Sequence, residues 1–435
     1  MTHPPSFPLE SLYGMEGFRN VDGVLLSAKK DTEELRQLIN SLGHSVIKEF
    51  IQTRKNTTPF YLGEGKIEEA RKYMEENGIN MVFVNDALKP SQWFNLEKNL
   101  GAIVYDRIRI ILEIFAQRAK KKEAMLQVRL ARLRYEKPFV RELFHRVKEG
   151  EKPGFLAGGE YVVDDYYEMM KKQTKKIREE LKKIEEEREI RRKERKEKGF
   201  YLVSLAGYTN AGKSSLLNIL TDEEVLVEGR LFSTLSTKTS KLKIKEDLPI
   251  LVTDTVGFIK DLPHWLIDAF HSTLEEISLA DIVILVVDGK DDMRELKEKT
   301  SSSLKEIYFL REKANIIIAL NKIDLLKEGE IQERKKFLES TFGCPCIPVS
   351  SLNGTNIDSL VEKIYEFLPP ACEMILKIPA HNMNGFLRWL NRESVVKKII
   401  INDSAFIQIK SSQRLKEKII GKCKKMGGEV EIYEN

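Results

Sequence analysis

Apolar runs and amphipathic stretches alternate regularly between residue 22 and about residue 106. The β-rich runs 24–26, 81–84 and 102–104 are separated by helical patterns at 32–42 and 66–77, which predicts βαβ units around a small parallel sheet. From Ile108 to Gly199 the period lengthens. Leu112, Phe115, Ala119, Leu126, Leu130 and Leu133 recur at helical spacings, and Pro138 is expected to stop that run. After a glycine-rich loop at 154–160, residues 171–198 hold 14 Lys/Arg and 8 Glu around a thin apolar seam of Ile177, Leu181 and Ile184. This predicts a helical hairpin whose second arm is largely solvated. At Gly199 the pattern reverts to buried runs (201–206, 249–253, 282–287, 314–320, 346–349) with helical intervals, the signature of a doubly wound α/β sheet. Pro369 and Pro370 punctuate its end. The tail carries strand patterns at 398–401, 405–409 and 429–433 and a helix at 412–426, a small α+β module. The expected domains are therefore 1–106, 107–199, 200–370 and 371–435, and the fold class is α/β.

Composition narrows the classes. In 435 residues, 42% are hydrophobic and 32% charged, enough apolar material for several cores, and disordered or collagen-like chains are excluded. No apolar run approaches the roughly 20 residues of a membrane-spanning helix. The N-terminus has no basic stretch followed by an apolar one, so a cytoplasmic protein is expected, and a monomer is expected as well. Cys344, Cys346, Cys372 and Cys423 suit neither a disulfide framework nor a zinc site and are read as reduced core residues. Net charge is only +5, so any affinity for nucleic acid must come from local clustering. Such a cluster exists at 118–134, where Arg118, Lys120, Lys121, Lys122, Arg129, Arg132 and Arg134 face a single acid, Glu123. An RNA-facing helix is favoured there over a merely solvated one.

The candidate chemistry lies in the doubly wound region. Gly207, Tyr208, Thr209, Asn210, Ala211, Gly212, Lys213 and Ser214 form GxxxxGKS between a strand and a helix. Glycines let backbone N–H groups curl around phosphates, Lys213 reaches the β/γ oxygens, and Ser214 can ligate Mg²⁺. Asp254, Thr255, Val256 and Gly257 follow the next strand, placing a carboxylate near the metal and the Gly257 N–H toward a γ-phosphate. Asn321, Lys322, Ile323 and Asp324 read NKID, whose carboxylate matches guanine N1 and N2 and has no counterpart on adenine, so the nucleotide is GTP/GDP. Ser350, Ser351 and Leu352 place a further loop against the base. Between the first two motifs lie Phe232, Ser233, Thr234, Leu235 and Ser236, with Thr234 the expected second Mg²⁺ ligand and Thr237 the reserve. Lys213, Thr234 and Gly257 are the expected catalytic set. Where common small GTPases carry a water-orienting glutamine, this chain has Phe258, so hydrolysis is expected to be slow or completed by another molecule. A second Gly-Lys turn, Gly63 to Lys66, is better read as plain helix entry than as a phosphate loop.

Taken together, GYTNAGKS (207–214), LFSTL (231–235), the segment 254–276, NKID (321–324) and the helical segment 106–135 make the chain resemble the HflX family of ribosome-associated GTPases. The resemblance covers about 20–370, and nothing is carried over to 371 onward. It implies GTP and Mg²⁺ at the residues named above, a large ribosomal subunit and its rRNA as partner, and, in some members, splitting of stalled or idle ribosomes. A GTP-gated assembly or adaptor factor is the alternative. Asn210 is at the position where cation-activated relatives hold K⁺. Two departures are visible. The Asp-Pro expected after LFSTL is absent, and the loop between the hairpin arms reads Gly158, Gly159, Glu160, Tyr161.

Overall fold

The computed structural model describes residues 21–53, 59–148, 159–197, 199–221, 238–243, 248–260, 263, 265–266, 271–379, 383–401 and 404–433. These fall into two compact units. One is built on residues up to Lys183 together with the short segment around Trp265, and the other on Ile184 onward.

In the first unit, β1 (Asp22–Ser27), β2 (Ser45–Ile51), β3 (Met81–Val84) and β4 (Ile103–Asp106) form a parallel sheet in the order β2-β1-β3-β4. Val24, Leu25 and Leu26 are buried on both faces, because the crossover helices α1 (Glu33–Ser41), α2 (Glu64–Asn77) and α3 (Pro90–Leu100) cover the sheet. β2 and α3 are additions to the expected pattern. β2 is an edge strand with one fully buried side chain, Phe50, so its hydrophobic signal is diluted. The Gly63 turn is helix entry: its N–H donates to Gln52 Oε1 at 2.7 Å, and Lys66 pairs with Glu69.

The expected single run to Pro138 is two helices, α4 (Arg107–Arg118) and α5 (Lys122–Lys148), and Pro138 lies inside α5. Packing overrides the proline. Phe139 meets Trp93 edge-on at 5.4 Å and Tyr135 at 4.7 Å, while Val140 and Leu143 continue the same buried stripe. Burying that stripe outweighs one missing backbone hydrogen bond. α6 (Gly159–Glu197) is a single helix of 39 residues that begins inside the expected loop, and it buries Met170 and Ile177 against α5 and the sheet core.

In the second unit, β5 (Tyr201–Gly207), β6 (Lys238–Lys241), β7 (Ile250–Asp254), β8 (Ile282–Asp288), β9 (Ile316–Asn321) and β10 (Cys346–Pro348) form a six-stranded sheet ordered β10-β9-β8-β5-β7-β6. All neighbours are parallel except the edge strand β6. The chain leaves β5 toward one side of the sheet and later returns to the other. The carboxyl end of β5 is therefore the switch point where open α/β sheets bind ligands. Helices α7 (Lys213–Leu220), α8 (His271–Leu279), α9 (Met293–Leu310), α10 (Glu328–Phe342) and α11 (Ile357–Phe367) complete this region.

The tail is β11 (Ala371–Pro379), α12 (Met383–Glu393), β12 (Val395–Ile401), β13 (Ser404–Ser412), α13 (Lys416–Lys425) and β14 (Glu429–Tyr433), an antiparallel sheet ordered β12-β13-β11-β14. It docks on the amino end of the larger sheet through Arg414, which donates to the Phe200 carbonyl and pairs with the buried Asp281 at 2.5 Å. Asp281 in turn accepts from the Leu202 N–H at 2.9 Å. The four cysteines are buried free thiols. Among the described residues no helix is long and apolar enough to cross a membrane.

Candidate functional site

Strand β5 is buried along most of its length and delivers the chain at Gly207 into a tight loop. Asn210 (φ 64°) and Gly212 (φ 95°) take left-handed backbone conformations. Gly212 has no alternative, since a Cβ there would lie 2.2 Å from Asn321 Nδ2. Lys213 opens α7 and turns its ammonium inward, donating to the carbonyls of Gly207 (3.0 Å) and Tyr208 (2.7 Å). Burial pushes its pKa down to about 8, with nearby Asp254 opposing the shift.

Ser214 Oγ donates to Asp254 Oδ2 at 2.8 Å, and both residues are buried. Hydroxyl and carboxylate oxygens at the foot of a phosphate loop suit a hard divalent cation that keeps most of its ligands as water and phosphate. Among the described residues no group of three or more His, Cys, Asp or Glu forms a metal cage, so Mg²⁺ would be held by Ser214 and the nucleotide, with Asp254 beside it.

The segment after β7 is zipped to the phosphate loop. Thr209 N–H donates to the Phe258 carbonyl (2.9 Å) and Phe258 N–H to the Gly207 carbonyl (3.0 Å), while Thr255 Oγ1 donates to the Leu205 carbonyl (2.7 Å). Gly257 is pressed against this loop, and a Cβ on it would come within 2.9 Å of Lys213 Nζ. Its Cα is thus held close to the lysine ammonium. Val256, Phe258 and Ile259 are buried.

On the base side, Asn321 ties three segments together. Its Nδ2 donates to the Ala211 carbonyl (2.9 Å), and its Oδ1 accepts from the Ser351 N–H (2.9 Å). Lys322 is left-handed (φ 65°) and its ammonium pairs with Asp288 at 2.5 Å, which holds the aliphatic stem across the site. Asp324 Oδ1 accepts from the buried Ser350 Oγ at 2.5 Å. Ile323 is buried below, and Leu352 is 80% exposed at the rim.

The structure thus brings together the residues of the phosphate loop, 254–257, 321–324 and 350–352. Phe232, Ser233, Thr234, Leu235, Ser236 and the reserve Thr237 lie outside the described residues. Sequence reasoning misses Asp288. Its signal is present all the same: an acid at the carboxyl end of a buried strand adjoining the one that carries NKID, with Asp288 in register with Asn321.

The basic helix differs from expectation. Arg132 is engaged by two buried acids, Glu113 (2.8 Å) and Glu136 (2.9 Å), and Arg129 donates to Gln173. The Arg134 guanidinium lies 5.7 Å from the Trp265 ring centroid, within the same unit. Arg132 is therefore a packing residue: an arginine beside two desolvated carboxylates neutralises them. The positive surface centres instead on a groove of about 760 Å³ between α5 and α6. Arg134, Lys137, Lys171, Lys175 and Arg178 line it with one acid, Glu179, over a floor that includes Leu130, Leu133 and Met170.

A phosphate loop at a parallel-sheet switch point, with the Ser214–Asp254 hydroxyl–carboxylate pair at its foot and the NKID turn tied to it through Asn321, is the arrangement of a P-loop GTPase. Sequence comparison agrees. Residues 202–322 match the 50S ribosome-binding GTPase family, 29–116 the GTP-binding GTPase N-terminal family and 118–195 the GTP-binding GTPase middle-region family. The GTPase HflX of Thermofilum pendens is 39% identical over 381 residues, spanning 86% of this chain and 89% of its own. That of Thermococcus kodakarensis is 35% identical over 429 residues, spanning 94% of each. The chain belongs to the GTPase HflX family and hydrolyses GTP. A GTP-binding protein of Sulfolobus solfataricus solved with GDP is 28% identical, with 80% of this chain and 98% of that one covered at a TM-score of 0.44.

Proposed function

We propose that this GTPase acts on the large ribosomal subunit and, when GTP-bound, splits or remodels stalled or idle ribosomes. Gly207 to Ser214 hold the phosphates, Ser214 and Thr234 the Mg²⁺, Asn321 to Asp324 and Ser350 to Leu352 the base, and Lys213, Thr234 and the Gly257 N–H the developing charge. The match of residues 202–322 to a family described as 50S ribosome-binding GTPases supports this reading. The observation that carries the reading is the basic groove between α5 and α6, where Arg134, Lys137, Lys175 and Arg178, beside Lys171 that pairs with Glu168, face the single lining carboxylate Glu179 and invite a phosphodiester backbone. Ribosomes sedimented with the protein and a non-hydrolysable GTP analogue should convert to subunits. Binding without conversion would favour a GTP-gated assembly or adaptor role, and no binding would remove the ribosome from the proposal.

Replacing Lys137, Lys175 and Arg178 with glutamine should weaken ribosome binding. For every phosphate that is no longer neutralised, the log–log dependence of affinity on salt should flatten by about 0.7 to 0.9. GTP affinity should be unchanged, and an unaltered salt slope would rule the groove out as the RNA-binding surface.

With Phe258 buried where water would be oriented, turnover depends on charge supplied from elsewhere. Asn210 stands exposed at the crest of the phosphate loop, where its side-chain oxygen can help hold K⁺ beside the phosphates. Hydrolysis should be faster in KCl than in NaCl, and Asn210→Ala should erase the difference. Equal rates for the unaltered protein in both salts would exclude the cation.

A further inference from the structure

The tail module packs both helices on one face of its sheet. Phe386 and Leu390 of α12 and Ile419 and Cys423 of α13 cover Met374, Leu376, Ile407 and Ile409. Among the described residues no helix of the module's core lies on the opposite face, where Phe406 of β13 (37% exposed) and Ile400 of the edge strand β12 (45% exposed) stand side by side. Isolated exposed apolar residues need no explanation, but a cluster on a helix-free sheet face is what a docking surface offers.

The register shows what fits it. Across one row of the outward face stand Lys398, Gln408, Ile375 and Glu431, and across the row beside it Lys410 is paired with Glu373. Lys398 and Lys410 thus stand on the β12–β13 side and Glu373, Glu429 and Glu431 on the β11–β14 side, where Lys377 is the one lysine of the outward face among the described residues. A two-fold axis parallel to the strands lays β12 of one copy over β14 of the other and β13 over β11. With no shift along the strands, Lys398 then faces Glu431 of the second copy and Lys410 faces its Glu373. Phe406 lies over the stem of Lys377, the residue opposite it in the sheet, as a cation–π and apolar contact. Every one of these contacts occurs twice, as a self-complementary interface requires. Within one chain Lys377 already pairs with Glu429 and Lys397 with Glu373, so these surface pairs would join a wider network.

We infer that the outward sheet face of the tail module is a self-association surface, pairing two copies of this chain face to face at the usual sheet separation of about 10 Å. Nucleic acid is a poorer occupant. The same face carries Glu373, Glu429 and Glu431 and, among its described side chains, a single aromatic, Phe406, whereas base-stacking sheets present several aromatics on a basic field.

Sedimentation equilibrium of the full chain over a range of concentrations tests this. The unaltered protein should pass from monomer to dimer, and Phe406→Lys, which sets a second ammonium over Lys377 twice per dimer, should hold it monomeric. Lys398→Glu and Glu431→Lys should each weaken association about tenfold by placing like charges opposite one another twice per dimer. The double swap should restore it, which a merely destabilised fold would not do. A chain that stays monomeric at every concentration, a dimer indifferent to Phe406→Lys, or a labelled single-stranded RNA that binds this face in place of a second copy would each overturn the inference.

Discussion

Asp324→Asn should convert the protein from a guanine to a xanthine nucleotide binder. Ser350 Oγ already occupies Asp324 Oδ1, fixing the carboxylate so that it meets the base in one orientation. An amide there loses two charge-assisted hydrogen bonds and turns a donor toward the guanine amino group. At the low end of about 1.5 kcal/mol for each such bond, GTP affinity should fall roughly a hundredfold or more, while xanthine, with an acceptor in place of the amino group, gains. Competition binding with GTP and XTP reads the switch. Ser350→Ala is the companion variant: it frees the carboxylate without removing it and should cost far less affinity while leaving the preference for guanine. A mutant that keeps its full preference for GTP would dissociate Asp324 from base recognition.

Lys213→Met should lower hydrolysis by about 10³-fold, the scale expected when one preorganised donor to the transition-state charge is removed. It should also stabilise the nucleotide-free fold. The Lys213 pKa of about 8 lies below the ordinary lysine value because burial penalises the ammonium. Between that value and the unfolded one the denatured chain binds more protons than the native one, so the lysine's unfavourable contribution is fully present at neutral pH and fades as pH rises through this window. Its size is on the order of 3 kcal/mol at pH 7, set against the two carbonyl contacts the ammonium makes. Methionine fills the same channel without the charge. Thermal unfolding without nucleotide should therefore show a higher Tm for Lys213→Met at pH 7 and a gap that narrows toward pH 10. In the unaltered protein GTP binding should take up protons above pH 8, because phosphate favours the ammonium, and affinity should decline there. A lower Tm for the variant, or nucleotide affinity flat from pH 7 to 10, would show that Lys213 is not the buried, phosphate-seeking cation described here.

The nucleotide loops are legible in the sequence because each is short, contiguous and tied to the end of a buried strand. In β5, β7, β8 and β9 an apolar run of parallel-sheet type is followed at once by residues whose chemistry has few other uses. Asp288 shows the limit of that method. A single acid after a strand carries no pattern, and its role appears only when β8 and β9 lie side by side and Lys322 reaches across. Arg132 shows the reverse error. Along the chain it is one of seven cations on a basic helix, but Glu113 comes from α4 and Glu136 from the next turn of α5, and folding converts an apparent RNA contact into a buried ion-pair triad.

Pro138 departs from expectation for a related reason. Local propensity says that proline ends a helix, and propensity amounts to about 3 kcal/mol. The buried stripe of Tyr135, Phe139, Val140 and Leu143 offsets that amount, but only once Trp93 and the sheet are there to receive it. β12 and β6 are blurred in the same way, since edge strands carry weak periodicity that pairing completes. Local chemistry, written in consecutive residues, therefore settled the nucleotide, its base and the kind of sheet that presents them. Which cations stay free for a partner, which carboxylates hold the site's lysine and arginine side chains, and which sheet face is left bare were decided by tertiary contacts between segments far apart in the chain, because burial and pairing are properties of neighbours in space.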